Sequence, residues 1–165
     1  MTPEQTSEYL LSRNSRFERN IIRDTDKHGD TFCELIIKND SLPSYPLTVT
    51  VTETGCSISV GNLTNVTGSK TMTPDQTLCA IEDIIEDKIV FALGYHDDDD
   101  IGFGSPFLSR IFALTGTDDD MQDEYNDFIN TISKPINKKL RFFYSLKGRF
   151  LIFNFSGSIN KTIIR

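Results

Sequence analysis

Two runs of carboxylates are the residues of this chain most able to do chemistry. The first lies in YHDDDDIGFGS (residues 95–105) and the second in TDDDMQDEYND (residues 117–127). Clustered carboxylates can bind a metal ion, imitate the phosphates of a nucleic acid or attract a basic protein. They can also simply keep a loop hydrated, so the four uses have to be weighed against each other.

The spacing of these residues does not favour a metal site or a catalytic site. Counted from Asp97, the twelfth residue is Leu108, whereas an EF-hand loop requires a glutamate at that position. The two histidines, His28 and His96, come with no recognisable nucleophile motif. We therefore expect no metal, no cofactor and no enzymatic activity.

Charge is distributed very unevenly along the sequence. The net charge of the chain is −7, but residues 75–127 alone carry −13 and residues 134–165 carry +8. The two blocks could offset each other in the fold, although eight positive charges cannot neutralise thirteen negative ones. Such a surface improves solubility, and it also accelerates encounter with a basic partner.

We predict an acidic partner-binding surface that combines both carboxylate runs. Its acidic members are Asp97, Asp98, Asp99, Asp100, Asp118, Asp119, Asp120, Asp123, Glu124 and Asp127. Tyr95, Ile101 and Phe103 flank the first run and are the candidate apolar anchors, since a few buried contacts usually supply most of the binding energy.

A nucleic-acid-binding domain is the alternative hypothesis. The predicted C-terminal hairpin, KLRFFYS–LKG–RFLIFNFS (residues 139–156), interleaves basic residues such as Lys139, Arg141 and Arg149 with aromatic ones. That mixture can combine base stacking with phosphate contacts. However, alternation along a hairpin directs several of the aromatic residues to the core, and the acidic block would repel a polyanion.

Helix signals come from two similar pentapeptides and one acidic segment. TPEQT from Thr2 and TPDQT from Thr73 each offer a threonine N-cap, proline at the first helical position and glutamine at the third. A third helix is predicted after Thr117, with Tyr125, Phe128 and Ile132 on its inner side. A short helix is also predicted, which begins at Ser105-Pro106 and is ended by Gly116.

Strand signals fill most of the remaining chain. LTVTVTE (47–53) and CSISV (56–60) alternate apolar and polar residues, and FCELIIK (32–38) precedes them. IVFAL (89–93) is continuously apolar and predicts a central strand. With the C-terminal hairpin, these elements predict a single globular α+β domain over residues 1–165, in which a mainly antiparallel sheet of about six strands has helices packed on one side.

The remaining composition indicates a soluble cytoplasmic protein. No apolar stretch reaches the ~20 residues of a membrane helix, and the polar N-terminus is not a signal peptide. The three cysteines are scattered, which is typical of buried free thiols in a reducing compartment. Four matches to the glycosylation pattern, including Asn154 and Asn160, are attributed to chance in a chain without a signal peptide.

The overall profile resembles that of bacterial immunity proteins, the partners of polymorphic toxins that include contact-dependent growth inhibition systems. The resemblance lies in the size, acidity and α+β pattern of the chain and in the helix-to-strand stretch TPDQTLCAIEDIIEDKIVFALGY (residues 73–95). It implies that the protein binds a cognate toxin C-terminal domain, often a basic nuclease, and blocks its active site or substrate surface. No membrane partner is expected, and nucleic acid is not the expected ligand.

Overall fold

A computed structural model describes residues 1–25, 29, 31–61, 63, 71–96, 108–113, 119–133 and 148–164, without the side chains of residues 19–24 and 119–121. This part of the chain forms three helices and eight strands. It divides into two compact units, residues 1–83 and 84–165, and the boundary falls in the last turn of the second helix. The single globular domain stays a prediction.

The first unit consists of a helix, a four-stranded sheet and most of a second helix. Its elements are α1 (Pro3–Arg13), β1 (Glu18–Thr25), β2 (Thr31–Ile37), β3 (Leu47–Thr52), β4 (Gly55–Val60) and α2 (Pro74–Ile85). The strands pair in chain order, all antiparallel. Except for β1, which the sequence did not predict, each of these elements is confirmed.

Both predicted capping boxes are present in the first unit. At α1 the Thr2 hydroxyl accepts the backbone N–H of Gln5 at 3.3 Å, and the Gln5 side chain accepts the N–H of Thr2 at 3.0 Å. Thr73 and Gln76 repeat both bonds at the start of α2, at 3.3 and 3.0 Å. Each box satisfies two backbone donors that a helix otherwise leaves unpaired.

The first sheet has one fully buried face and one half-buried face. Leu35, Val49 and Ile58 lie on the inner face and are completely buried. The alternate residues of β3 are the threonines Thr48, Thr50 and Thr52, which are half-buried on the outer face. Helix α1 contributes the buried Leu10 and packs against β1, β2 and β3. The period-two pattern of the sequence therefore predicts the two faces correctly.

The second unit contains the other four-stranded sheet and α3. Its elements are β5 (Ile89–Tyr95), β6 (Leu108–Ala113), α3 (Asp119–Ser133), β7 (Arg149–Phe153) and β8 (Asn160–Ile164), with the strand order β6-β5-β7-β8 and antiparallel pairing throughout. The prediction of a central strand over residues 89–93 is confirmed, because β5 lies between two neighbours and residues 90–95 are all buried. The α+β class is also confirmed, whereas the single sheet of about six strands is wrong.

The predicted short helix between Ser105 and Gly116 is wrong where the structure describes this segment. Residues 108–113 form β6 and pair with β5 from Ile89↔Ala113 to Gly94↔Leu108. In such a short segment, the apolar positions Leu108, Ile111 and Phe112 fit a helix as well as a strand. Pairing with β5 decides between the two, because the backbone N–H and C=O groups of a buried strand must form hydrogen bonds.

The predicted C-terminal hairpin is corrected as well. All five residues of β7 pair with β5 on one side and with β8 on the other. Residues 149–153 are thus an inner strand, and their hairpin partner is β8 rather than residues 139–145. Residues 139–147 lie outside the described part of the chain, as do Lys139 and Arg141 of the alternative hypothesis.

The turn between β7 and β8 is organised by the side chain of Asn154, which is 2% exposed. Its Oδ1 accepts the backbone N–H of Ile159 at 2.9 Å, and its Nδ2 donates to the Ser158 hydroxyl at 2.7 Å. Asp87, held at a φ of 62°, accepts the backbone N–H of Ser156 at 2.9 Å. Asn154 therefore has a structural role. This role agrees with the prediction that its match to the glycosylation pattern arises by chance.

We expect Asn154→Ala to destabilise the protein by about 2 kcal/mol, because the N–H of Ile159 loses its side-chain acceptor and the Ser158 hydroxyl loses its donor. Urea unfolding measures the change. Asn160→Ala is the matched control, since Asn160 is exposed at the start of β8 and should cost less than about 0.5 kcal/mol. Equal losses for the two variants would contradict the role of the turn.

Two of the three cysteines are buried. Cys33 and Cys56 are buried free thiols as predicted, but Cys79 is exposed on α2. Burial raises the pKa of the Cys56 thiol, although a hydrogen bond with Thr77 opposes the effect, so this thiol is protonated at neutral pH. Among the described residues, no helix combines the length and the apolar character needed to span a membrane.

Candidate partner-binding surface

The inner side of α3 fixes its orientation on the second sheet. The Phe112 ring lies 5.4 Å from the rings of both Tyr125 and Phe128, and the Phe128 ring lies 6.5 Å from that of Phe150. Ile132 is 1% exposed at the far end of the same face. Since Tyr125, Phe128 and Ile132 follow a helical period, packing them on the sheet directs the opposite side of α3 to solvent.

The described carboxylates of the predicted site lie on that opposite side, in the case of Asp123 and Asp127, and on the flank of α3, in the case of Glu124. Asp123, Glu124 and Asp127 are exposed, and α3 contains no basic residue from its first position to its last. Within the described residues, none of these three carboxylates takes part in an ion pair. We call Asp123, Glu124 and Asp127 the α3 acidic face. Its charge is therefore exposed to solvent and is not neutralised by any residue that the structure describes.

The spacing of the acidic residues lowers the stability of α3. Asp123 and Asp127 are separated by four residues, as are Asp119 and Asp123, and so are Asp120 and Glu124. Like charges at this spacing cost about 0.2–0.5 kcal/mol per pair. Acids in the first turn are compensated by the helix dipole, but this effect fades before Asp127. Capping thus accounts for only part of the acidic sequence.

Three amide side chains extend the same surface, and the sequence analysis did not identify them. Gln122, Asn126 and Asn130 are exposed and follow each other at intervals of four residues along α3. The Gln122 Nε2 donates to the Asn126 Oδ1 at 3.3 Å, which orders part of the row. Their spacing of four residues, which places them along one side of a helix, could have identified them from the sequence. They supply hydrogen-bonding groups beside the α3 acidic face.

Most of the other predicted site residues lie outside the described part of the chain. These are Asp97, Asp98, Asp99, Asp100, Ile101, Phe103 and Asp118. For Asp119 and Asp120 the structure gives the backbone, which forms the first two positions of α3. The union of the two carboxylate runs into one surface therefore stays a prediction.

Tyr95 requires a correction, because its side chain is completely buried. It is the last residue of β5 and pairs with Arg149 of β7. The apolar run from Ile89 continues the strand two residues beyond Leu93, which places Tyr95 in the core with Phe91 and Leu93. An exposed anchor cannot have this position, so Tyr95 does not contact a partner in this structure.

The described residues offer no metal-binding cluster of three or more histidine, cysteine, aspartate or glutamate side chains. His96 is exposed directly after β5. Comparisons with models of protein families, with curated proteins and with solved structures gave no match. Any statement about function thus depends on the residues themselves.

Proposed function

We propose that the protein is an immunity protein that binds a cognate toxin domain and neutralises it through an acidic surface centred on α3. The observation that supports this proposal best is the α3 acidic face, exposed, without an ion pair among the described residues, and mounted on a helix whose inner side is fixed by Phe112, Phe128 and Ile132. A rigid helix presents its charges in a constant arrangement, which complementary binding requires.

In the proposed mechanism, binding and inhibition have the same physical origin. Negative charge on α3 attracts a basic toxin domain over a distance set by the Debye length, about 8 Å at physiological ionic strength. Once bound, the carboxylates occupy positive sites that a nuclease would use for nucleic-acid phosphates. The toxin then loses access to its substrate, and the protein itself needs no catalytic group.

The alternative of a nucleic-acid-binding domain has less support in the geometry. Its hairpin is not the pairing that β7 makes, and Arg149 is half-buried within an inner strand. Lys161 on β8 is exposed, but the α3 acidic face belongs to the same compact unit. The charges of this unit would therefore repel a polyanion from part of its surface.

Affinity capture from the native cells tests the proposed function. The tagged protein is purified at low and at moderate salt, and bound proteins are identified by mass spectrometry. We expect one stoichiometric protein partner with a basic domain, recovered less well as salt increases. A partner whose toxicity the protein suppresses would support the immunity function. Recovery of nucleic acid alone would overturn it in favour of the alternative.

A further inference from the structure

A cleft of about 420 Å³ lies on the half-buried face of the first sheet, near the turn between β3 and β4. Its described lining consists of four threonines, two glutamates and one phenylalanine: Thr31, Phe32, Glu34, Thr50, Thr52, Glu53 and Thr54. The volume is within the range of about 300–1,000 Å³ that is typical of small-ligand sites. None of these residues belongs to the acidic surface proposed above.

The register of the sheet explains why these side chains meet. Phe32 pairs with Thr52 and Glu34 pairs with Thr50, so all four project from the same face of β2 and β3. The turn after Thr52 adds Glu53, which is exposed and accepts a hydrogen bond of 3.5 Å from the Thr31 hydroxyl. The cleft is thus built on paired strands, with a carboxylate held at its rim.

The chemistry of the lining selects the charge of the ligand. Two of the described lining residues carry carboxylates, and the exposed one, Glu53, lies at the rim, where its charge favours a cation. An apolar ligand would remove the threonine hydroxyls and the carboxylates from water without replacing their hydrogen bonds. Two carboxylates provide too few ligands for a protein metal site, which usually takes at least three.

An organic cation can interact with the carboxylates, the threonine oxygens and the aromatic ring of the cleft. Its N–H groups can donate to the Glu53 carboxylate and to threonine oxygens, and its charge is attracted to the face of an aromatic ring. Phe32 is half-buried and supplies that ring beside Thr52. We propose that this cleft binds a guanidinium or primary ammonium group. This inference is independent of the proposed immunity function.

The same cationic group could come from a small metabolite or from an arginine side chain of a protein. Two probes separate these sources: agmatine, and the capped tripeptide acetyl-Gly-Arg-Gly-amide. The peptide with citrulline in place of arginine is the matched neutral control, because it has nearly the same shape without the charge. Ligands of this size are expected to bind with a dissociation constant on the order of a millimolar.

Titrations followed by ¹H–¹⁵N NMR measure this binding and locate it. We expect the arginine peptide or agmatine to shift the amide signals of Phe32, Thr52 and Thr54 saturably, and the citrulline peptide to leave them unchanged. Saturation by agmatine alone would assign a small metabolite, and saturation by the peptide alone would assign a protein side chain. If neither cation shifts these signals, the proposal is overturned.

Two variants make the test specific to the cleft. Glu53→Gln and Phe32→Leu should each weaken binding about two- to fivefold, through the lost ion pair and the lost ring. Asp40→Asn produces the same change of net charge at an exposed residue of the same unit, beyond the opposite end of β2, so it should leave the titration unchanged. Equal weakening by Glu53→Gln and Asp40→Asn would mean attraction by net charge alone and would overturn the site.

Discussion

Phe112→Ala should destabilise the second unit by about 3–5 kcal/mol, the usual cost of removing a buried phenylalanine ring. Phe112 is 2% exposed and joins the inner side of α3 to the second sheet through ring contacts with Tyr125 and Phe128. Its removal leaves a cavity between helix and sheet that the β5–β6 backbone ladder cannot close. The variant should therefore loosen α3 before it affects the first unit.

Urea unfolding followed by circular dichroism gives the total loss, and amide hydrogen exchange assigns it to a unit. Exchange should accelerate most in α3 and β6, whereas the amides of β2 and β3 should change little. Ile164→Ala is the control, because Ile164 is 75% exposed and should cost less than about 0.5 kcal/mol. A loss below about 1 kcal/mol for Phe112→Ala would contradict the packing of α3 on β6.

The elements that the sequence predicts well are those whose signals are local. The capping boxes at Thr2 and Thr73 depend on residues three positions apart, and the alternation in residues 47–60 depends on neighbours two positions apart. β6 is different, because its apolar positions satisfy both periods. Pairing with β5, a contact made far along the chain, selects the strand. β1 likewise forms in a mixed, charged segment by pairing with β2.

The candidate site shows the same division between local and long-range information. The acidic residues of α3 can be counted in the sequence, and the helical period predicts that Asp123 and Asp127 lie opposite Tyr125 and Phe128. Tyr95 was misassigned because the end of a buried strand has no local marker. The sequence places it beside the aspartates, but β5 extends to Tyr95 through its pairing with Arg149, and the side chain is completely buried.

The triple variant Asp123→Asn, Glu124→Gln, Asp127→Asn should slow association with the captured basic partner about tenfold at low salt, because the steering charge of α3 is removed. Dissociation should change much less, since buried contacts govern the lifetime of a complex. Stopped-flow measurements over a series of salt concentrations test both statements. The difference between variant and wild type should shrink as the Debye length decreases.

A second triple variant, Glu8→Gln, Asp40→Asn, Glu82→Gln, removes the same charge from exposed positions outside α3 and is the matched control. It should change the association rate less than threefold, because none of these charges belongs to the α3 acidic face. The α3 variant should also be slightly more stable than wild type, by a few tenths of a kcal/mol for the repulsion it relieves. Faster unfolding with unchanged association would show that the carboxylates serve the fold instead. Slower association in a more stable variant would mean that the same carboxylates accelerate partner binding and destabilise α3.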